Sequence, residues 1–274
     1  MFPNLMPLAT AAKHRIMPPM SQHATLPHRW TLLSLRPRGQ HGPLRTLVHA
    51  DGGQLLALSP WAIVPRTGSA DRQRLQQALA CPQVVFTSPA AVRAANDLLP
   101  LAAVQPAPLW LAVGEGSAGA LRQTGLAQTV SPLRMDSEGL LALPALDRVA
   151  GQRIGMVSAP GGRGVIAHTL QQRGAQVVLA EVYDRVPLRL RGRQRARLNH
   201  LPAHCVLALS SGQALERLWQ QLGPRQHQQL RRCTVVAASA RLAEQARQLG
   251  FARVHQAASA MPADLRRCWQ ADLA

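Results

Sequence analysis

The chain carries one ordered series of segments twice, and this duplication restricts its fold more than any other feature. Val84-Val85-Phe86-Thr87-Ser88-Pro89 is matched by Cys205-Val206-Leu207-Ala208-Leu209-Ser210-Ser211, an apolar run that ends in serine and opens into helix-like sequence. Set Ser88 against Ser210 and the offset is 122 residues. Val113-Gly114-Glu115-Gly116-Ser117 with Gly125-Leu126 is matched by Val235-Val236-Ala237-Ala238-Ser239 with Gly250-Phe251, at an offset of 125. Thr31-Leu32-Leu33-Ser34-Leu35-Arg36-Pro37 is matched by Arg153-Ile154-Gly155-Met156-Val157-Ser158-Ala159-Pro160, at 123. Matches in one order at about half the chain length describe two homologous halves, not a short-repeat solenoid.

Each half reads as alternating strands and helices. Strands are predicted at 30–35, 55–63, 83–87 and 109–113, with helices at 39–51, 70–80, 89–98 and 117–124. In the second half the strands are 153–158, 176–182, 204–209, 233–237 and 253–256. The helices there are 162–173, 193–199, 212–222, 240–249 and 262–271. Alternation of this kind predicts an α/β fold of two similar domains, each a parallel sheet flanked by helices. Several strands are apolar without interruption, as burial on both faces requires. Residues 1–28, with four methionines among Pro, His and Ala but no apolar core segment, read as a flexible N-terminal extension, or as sequence before a start at Met20, rather than a secretory signal. A cytoplasmic location follows by default.

The 274 residues are 47% hydrophobic, which excludes a disordered chain, and polar residues interrupt every apolar run before it could span a membrane. A formal charge of +18, nearly all from arginine, creates a field that attracts polyanions. Solvated arginines account for most of it. The dense run Arg189-Leu190-Arg191-Gly192-Arg193-Gln194-Arg195-Ala196-Arg197 reads as a linker or exposed helix start, with a phosphate-binding tract as the other reading. Aromatics make up only 3% of the chain, so a stacking platform for nucleic acid is missing. Cys81, Cys205, Cys233 and Cys268 form no C-x-x-C pair and read as free, mostly buried thiols. The ten histidines are scattered and read as surface or capping residues, so no metal site is expected.

Ligands of open α/β sheets bind beyond the carboxyl ends of the strands, so the strand-to-helix turns are the candidate site. Here they hold Arg36, Ser88, Ser117, the run Gly161-Gly162-Arg163-Gly164, Ser210, Ser211, Ser239 and Arg241. Small and hydroxylic turns leave helix N-terminal N–H groups free to face an anion. Plain helix capping is the competing account of each serine. Nucleophile-elbow, Walker and dinucleotide-binding motifs are missing. What remains suits holding a carboxylated molecule.

Phe86-Thr87-Ser88-Pro89-Ala90-Ala91-Val92, Val182-Tyr183-Asp184-Arg185, Leu209-Ser210-Ser211-Gly212-Gln213-Ala214-Leu215 and Ala238-Ser239-Ala240-Arg241 with Gly250-Phe251 together resemble the uroporphyrinogen III synthase family. So do Leu35-Arg36-Pro37, Val113-Gly114 with Gly125-Leu126, and Gly164 with the segment from Leu170 to Val177. The likeness runs from about Trp30 to Leu265. It implies two α/β domains joined by a two-stranded connector with substrate between them: residues 29–54 plus 190–274 in domain 1, 67–177 in domain 2, and 55–66 with 178–189 as connector. The repeated halves would then be shared between both domains. The implied reaction takes hydroxymethylbilane, a linear tetrapyrrole, to uroporphyrinogen III, with loss of water and inversion of ring D through a spiro intermediate and without cofactor or metal. A monomer is implied, in at most transient contact with the preceding enzyme of the pathway. Tyr183, the one tyrosine, matches the family's Val-Tyr motif and would be the general acid; a half-buried strand tyrosine with a satisfied O–H is the alternative. Ser88, Ser117, Ser210 and Ser239 would grip carboxylates, with Arg36, Arg163 and Arg241 as charge partners. Two departures are Ser211, where many relatives have Pro, and the turn Ala238-Ser239-Ala240, which is not Gly-rich.

Overall fold

The computed structural model describes residues 30–161 and 164–273; the expected extension over 1–28 lies outside them, as do Gly162 and Arg163. In chain order the first half runs β1 (Thr31–Ser34), α1 (Gly42–Ala50), β2 (Gln54–Ala57), β3 (Trp61–Pro65), α2 (Ser69–Leu79), β4 (Gln83–Phe86), α3 (Pro89–Leu98), β5 (Leu109–Ala112), α4 (Glu115–Gln123), β6 (Thr129–Val130) and α5 (Ser137–Leu141). The second half runs β7 (Arg153–Ser158), α6 (Val165–Gln172), β8 (Gln176–Glu181), β9 (Tyr183–Pro187), α7 (Gly192–Asn199), β10 (Cys205–Leu209), α8 (Gly212–Trp219), α9 (Pro224–Arg231), β11 (Thr234–Ala237), α10 (Ala240–Gln248), β12 (Val254–Gln256) and α11 (Pro262–Leu273).

Two five-stranded sheets result, each parallel throughout, in the orders β12-β11-β10-β1-β2 and β6-β5-β4-β7-β8. Add six to each strand number of the second sheet's first half, or subtract six from its second, and the first sheet's order appears. Each half of the duplicated chain therefore supplies strands to both sheets. A parallel neighbour cannot be reached by a tight turn, so every such link passes through a helix or through the other domain.

Burial follows the pleat. Leu33, Leu56, Leu207 and Val235 point into one apolar cluster of the first sheet, while Leu32, Leu55, Val206 and Val236 point into another on the opposite face. The second sheet repeats this, with Val84 and Phe86 on one side and Val85 and Leu111 on the other. Both faces of both sheets are covered by helices, which accounts for the unbroken apolar runs of the strands.

Between the sheets lies a separate antiparallel pair, β3 with β9, in which Trp61 stands opposite Pro187, Ile63 opposite Arg185 and Pro65 opposite Tyr183. The predicted strand 55–63 is thus two strands. β2 keeps its pairing with β1 until the Leu58 N–H reaches the Ser34 carbonyl at 2.9 Å, and Pro60, which has no N–H, then turns the chain out of the sheet. The paired connector is correspondingly narrower than the expected 55–66 and 178–189, because Gln54–Ala57 and Gln176–Glu181 are sheet strands. Helix α9 was not among the predicted elements.

Candidate functional site

The turns after β4 and β10 are built alike. Ser88 caps α3, its Oγ accepting from the Ala91 N–H at 3.1 Å with Pro89 at the first helical position. Ser211 caps α8 in the same way, accepting from Ala214 N–H at 3.3 Å. Capping geometry therefore equates Ser88 with Ser211, not with Ser210, which is exposed one residue earlier at the position of Thr87. The pairing of Ser88 with Ser210 is corrected accordingly: Ser211 is the cap of this turn, and Gly212 stands where α3 has Pro89. Gly212 follows it because a Cβ there would overlap the Gln245 side chain, which donates to the Gly212 carbonyl at 3.4 Å and to Glu216 at 2.6 Å.

The turns after β5 and β11 differ. Ser239 caps α10, accepting from Leu242 N–H at 3.4 Å, whereas Gly114 occupies the capping position of α4. Ser117 is the third residue of α4 and is buried, so it is not a turn tip and has no equivalence with Ser239; it stands where α10 has the buried Leu242. Arg241 is exposed at the second residue of α10 and pairs with no described carboxylate. Gly161 is exposed with φ +75°.

Tyr183 opens β9 at 2% exposure, packed among Phe86, Ala91 and Val157 of the second domain's core. Its hydroxyl lies 3.1 Å from Ser88 Oγ, so the phenol meets the half-buried cap of α3. Two residues on, Arg185 donates to Gln213 Oε1 at 3.1 Å and stacks over Trp61 at 5.6 Å. Residues two apart on a strand share a face. One face of β9 therefore touches the Ser88 turn of one domain and the Ser211 turn of the other. On the opposite face Asp184 is held by a bidentate Arg66, at 3.0 and 2.8 Å, and Arg66 also reaches Glu181 at 3.2 Å. That guanidinium keeps the Asp184 carboxyl below its ordinary range.

Behind the Ser88 turn, Thr87 Oγ1 donates to Ser158 Oγ at 2.9 Å, linking the ends of adjacent strands β4 and β7. In the first domain Arg36 leaves β1 and donates to the Ala260 carbonyl at 2.9 Å; burial lowers its pKa. His41, expected as a surface or capping residue, stands at the N-cap position of α1 without a side-chain cap bond and is buried, with Nδ1 2.9 Å from Ser34 Oγ and Nε2 2.8 Å from Ser59 Oγ. Burial first, then the charges of Arg45 and Arg36, press its pKa down to about 4, so the ring is neutral near pH 7. Thr87, Ser158, Arg185 and His41 were not singled out as site residues from sequence. Arg185 had a usable signal, its i+2 spacing from Tyr183 in a strand.

The cysteines are free, Cys81, Cys205 and Cys233 buried. No group of three or more His, Cys, Asp or Glu among the described residues could hold a metal ion, and no described helix is long and apolar enough to cross a membrane.

Comparison with known proteins gives this arrangement its relatives. The chain is 37% identical over 148 residues to the uroporphyrinogen-III synthase of Salmonella typhimurium, covering 53% of this chain and 60% of that protein. It is 34% identical over 147 residues to the Escherichia coli enzyme of the same name, covering 53% and 59%. The aligned region thus spans about 60% of the length of these curated relatives. A structure of a mutant uroporphyrinogen III synthase from Thermus thermophilus superposes with a TM-score of 0.60 at 18% identity, covering 89% of this chain and 98% of that one. A uroporphyrinogen-III synthetase from Helicobacter pylori gives 0.55 at 13%, over 89% and 100%. At such identities these two speak for the fold alone. The family model described as uroporphyrinogen-III synthase HemD matches residues 43–266, and the chain belongs to that family.

Proposed function

We propose that the protein is a uroporphyrinogen III synthase that closes hydroxymethylbilane into uroporphyrinogen III, acting without cofactor. The observation that carries this reading is the placement of Tyr183 and Arg185 on one face of β9, against the capped helix starts of two different domains. A substrate bearing eight carboxylates meets there helix N-termini, hydroxyls and an excess of arginine, a combination suited to anions.

In this reading Tyr183 is the general acid. Proton donation to the terminal hydroxymethyl group lets the C–O bond break and water leave, and the adjacent pyrrole nitrogen stabilises the resulting cation. Attack by the α carbon of ring D that already carries its link to ring C forms the spiro intermediate; that older link then breaks to leave a second cation, and recombination at the free α carbon of ring D closes the macrocycle with the ring inverted. The proton lost as the last ring regains aromaticity restores the phenol. Because Tyr183 is buried and its hydroxyl contacts Ser88, the path from phenol to substrate runs by way of the Ser88 hydroxyl. Ser88, Ser211 and Ser239 serve as anion-facing caps, with Arg36, Arg185 and Arg241 as charge partners. Gly161, Gly162, Arg163 and the exposed Ser210 complete the proposed binding set, whereas Ser117, buried inside α4, meets substrate only if that helix start opens.

Purified protein given freshly prepared hydroxymethylbilane should release the type III isomer. Formation of only the type I isomer, which arises spontaneously, sinks the assignment. The near-complete burial of the Tyr183 phenol favours one rival, a module of the same fold that binds a tetrapyrrole without rearranging it. Porphyrin binding with no type III product identifies that rival.

A further inference from the structure

The chain has thirteen Asp and Glu side chains, and none of them lines the pocket of about 480 Å³ between α1, β2 and α7. Six arginines line it: Arg38, Arg45, Arg189, Arg191, Arg193 and Arg197. Arg197 donates to Gln54 Oε1 at 2.8 Å, and the other five make no side-chain hydrogen bond or ion pair among the described residues. Residues 1–29 contain no Asp or Glu, so they offer no counter-charge either. Some arginines elsewhere are matched, as Arg66 is with Asp184 and Glu181, Arg266 with Asp51 and Arg134 with Asp136, while others, such as the exposed Arg241, are single charges not gathered around a concavity. Six like charges around one concavity repel one another; His41, on the same wall, has its pKa lowered first by burial and then by Arg45 of this set and by Arg36 outside it. The neutralising anion has to come from outside the chain.

The lining narrows its chemistry. Its one ring is the buried His41 imidazole, held between the Ser34 and Ser59 hydroxyls, and with no Phe, Tyr or Trp it offers a base no large stacking surface. Strand addition by an acidic peptide along the free edge of β2 is obstructed, because Gln194 Nε2 already donates to the outward Ala57 carbonyl at 2.6 Å. Arginine forks match phosphate oxygens two at a time, and the volume is ordinary for a small-molecule site, typically roughly 300–1,000 Å³. β2 is the outer strand of its sheet, with β1 between it and β10, and the caps Ser211 and Ser239 are not in the lining.

We propose that this pocket, which borders the turn between β1 and α1 through Arg38 and His41, binds an oligophosphate chain, free or at the end of a nucleotide, at a site separate from the Ser88, Ser211 and Ser239 caps. Titration calorimetry of the full chain with sodium tripolyphosphate tests it, beside parallel titrations with ATP, oligoglutamate and uroporphyrin III. Saturable binding of tripolyphosphate and ATP is expected, weakened at least about tenfold by Arg45→Gln with Arg193→Gln. Both side chains are exposed and without described partners, so the variant should melt as the parent does; Arg193→Gln alone serves if it does not. Three results overturn the proposal: no tripolyphosphate binding, binding unchanged in the variants, or oligoglutamate binding more tightly than tripolyphosphate. Displacement of tripolyphosphate by uroporphyrin III overturns the separateness of the site. None of these outcomes depends on the isomer assay, so failure here and failure of the synthase reading remain distinguishable.

Discussion

Trp61 and Tyr183 are equivalent residues with opposite surroundings. Each opens its strand of the connector, each is nearly buried, and each plugs a different domain: Trp61 enters the core of the first sheet and Tyr183 that of the second. The indole is overlaid by Arg185, while the phenol meets a capping serine. The pseudo-symmetric pair shows how a duplicated frame packs an aromatic at both positions and carries a hydroxyl at only one, the one to which the proposed function gives the acid's role.

The sharpest way to break this comparison is to remove that hydroxyl. Tyr183→Phe should lower the rate of type III formation by about 100-fold or more, with the fold retained. Trp61→Phe should leave turnover near the parent's while lowering the melting temperature. Isomer analysis of timed reactions separates the two, and equal losses of rate would mean that the connector acts only through packing.

A second contrast lies inside the sheets. Register equates Gly155, opposite Val84, with Leu33, opposite Leu207. A Cβ on Gly155 would overlap the Ala78 carbonyl oxygen of α2, so that helix rides directly on β7. Gly155→Ala should therefore cost about 3 kcal/mol by overpacking, whereas Leu33→Ala should cost about as much through the cavity it leaves. Urea unfolding of both variants measures this; a neutral Gly155→Ala would show that α2 can shift freely.

The capping positions of α1 and α6 hold His41 and Gly164, and only the first titrates. An unfolded His41 binds its proton below pH 6.5, the folded one only below about 4. Between these values the unfolded state holds more protons, so stability falls as pH drops through this window, by roughly 3 kcal/mol in full. The loss should be absent in His41→Gln. Asp51 and Asp184, whose carboxyls are held low by Arg266 and Arg66, lose their contribution only at still lower pH, as it falls below about 3.8. Parallel denaturation at pH 7 and 4.5 reads the histidine alone.

The smallest expected effect discriminates best between capping and chemistry. Ser88→Ala and Ser211→Ala should each cost about 1 kcal/mol of stability as lost caps. Only Ser88→Ala should also lower turnover, because only that serine touches Tyr183. Matching rates in the two variants would remove Ser88 from the proton path.

Much of this architecture could be read before any coordinates. Uninterrupted apolar runs announced parallel sheets buried on both faces, and the family resemblance implied that each half would be shared between the two. What failed did so for physical reasons. The serine equivalences slipped by one residue or more because an apolar run does not mark its own end; the hydrogen bond from Ala214 N–H to Ser211 does. The break between β2 and β3 had a signal, Ser59-Pro60, outweighed by the apolar residues around it. Helix α9 has Gly223-Pro224 at its start, a good entry signal, but its polar sequence gave no periodicity to follow. The burial of His41 was illegible because it depends on Ser59, eighteen residues away, arriving to satisfy the second ring nitrogen.

The strand order also sets a timetable for synthesis. Every strand of the second sheet is contained between Gln83 and Glu181, so that sheet can close as soon as those residues have been made. β1 and β2 emerge first but must wait for β10, β11 and β12 near the other end of the chain before their sheet is complete. The ribosome thus delivers one domain nested within another. Early in its life the molecule carries two apolar strands whose neighbours do not yet exist, a stage at which unpaired edges are exposed to aggregation.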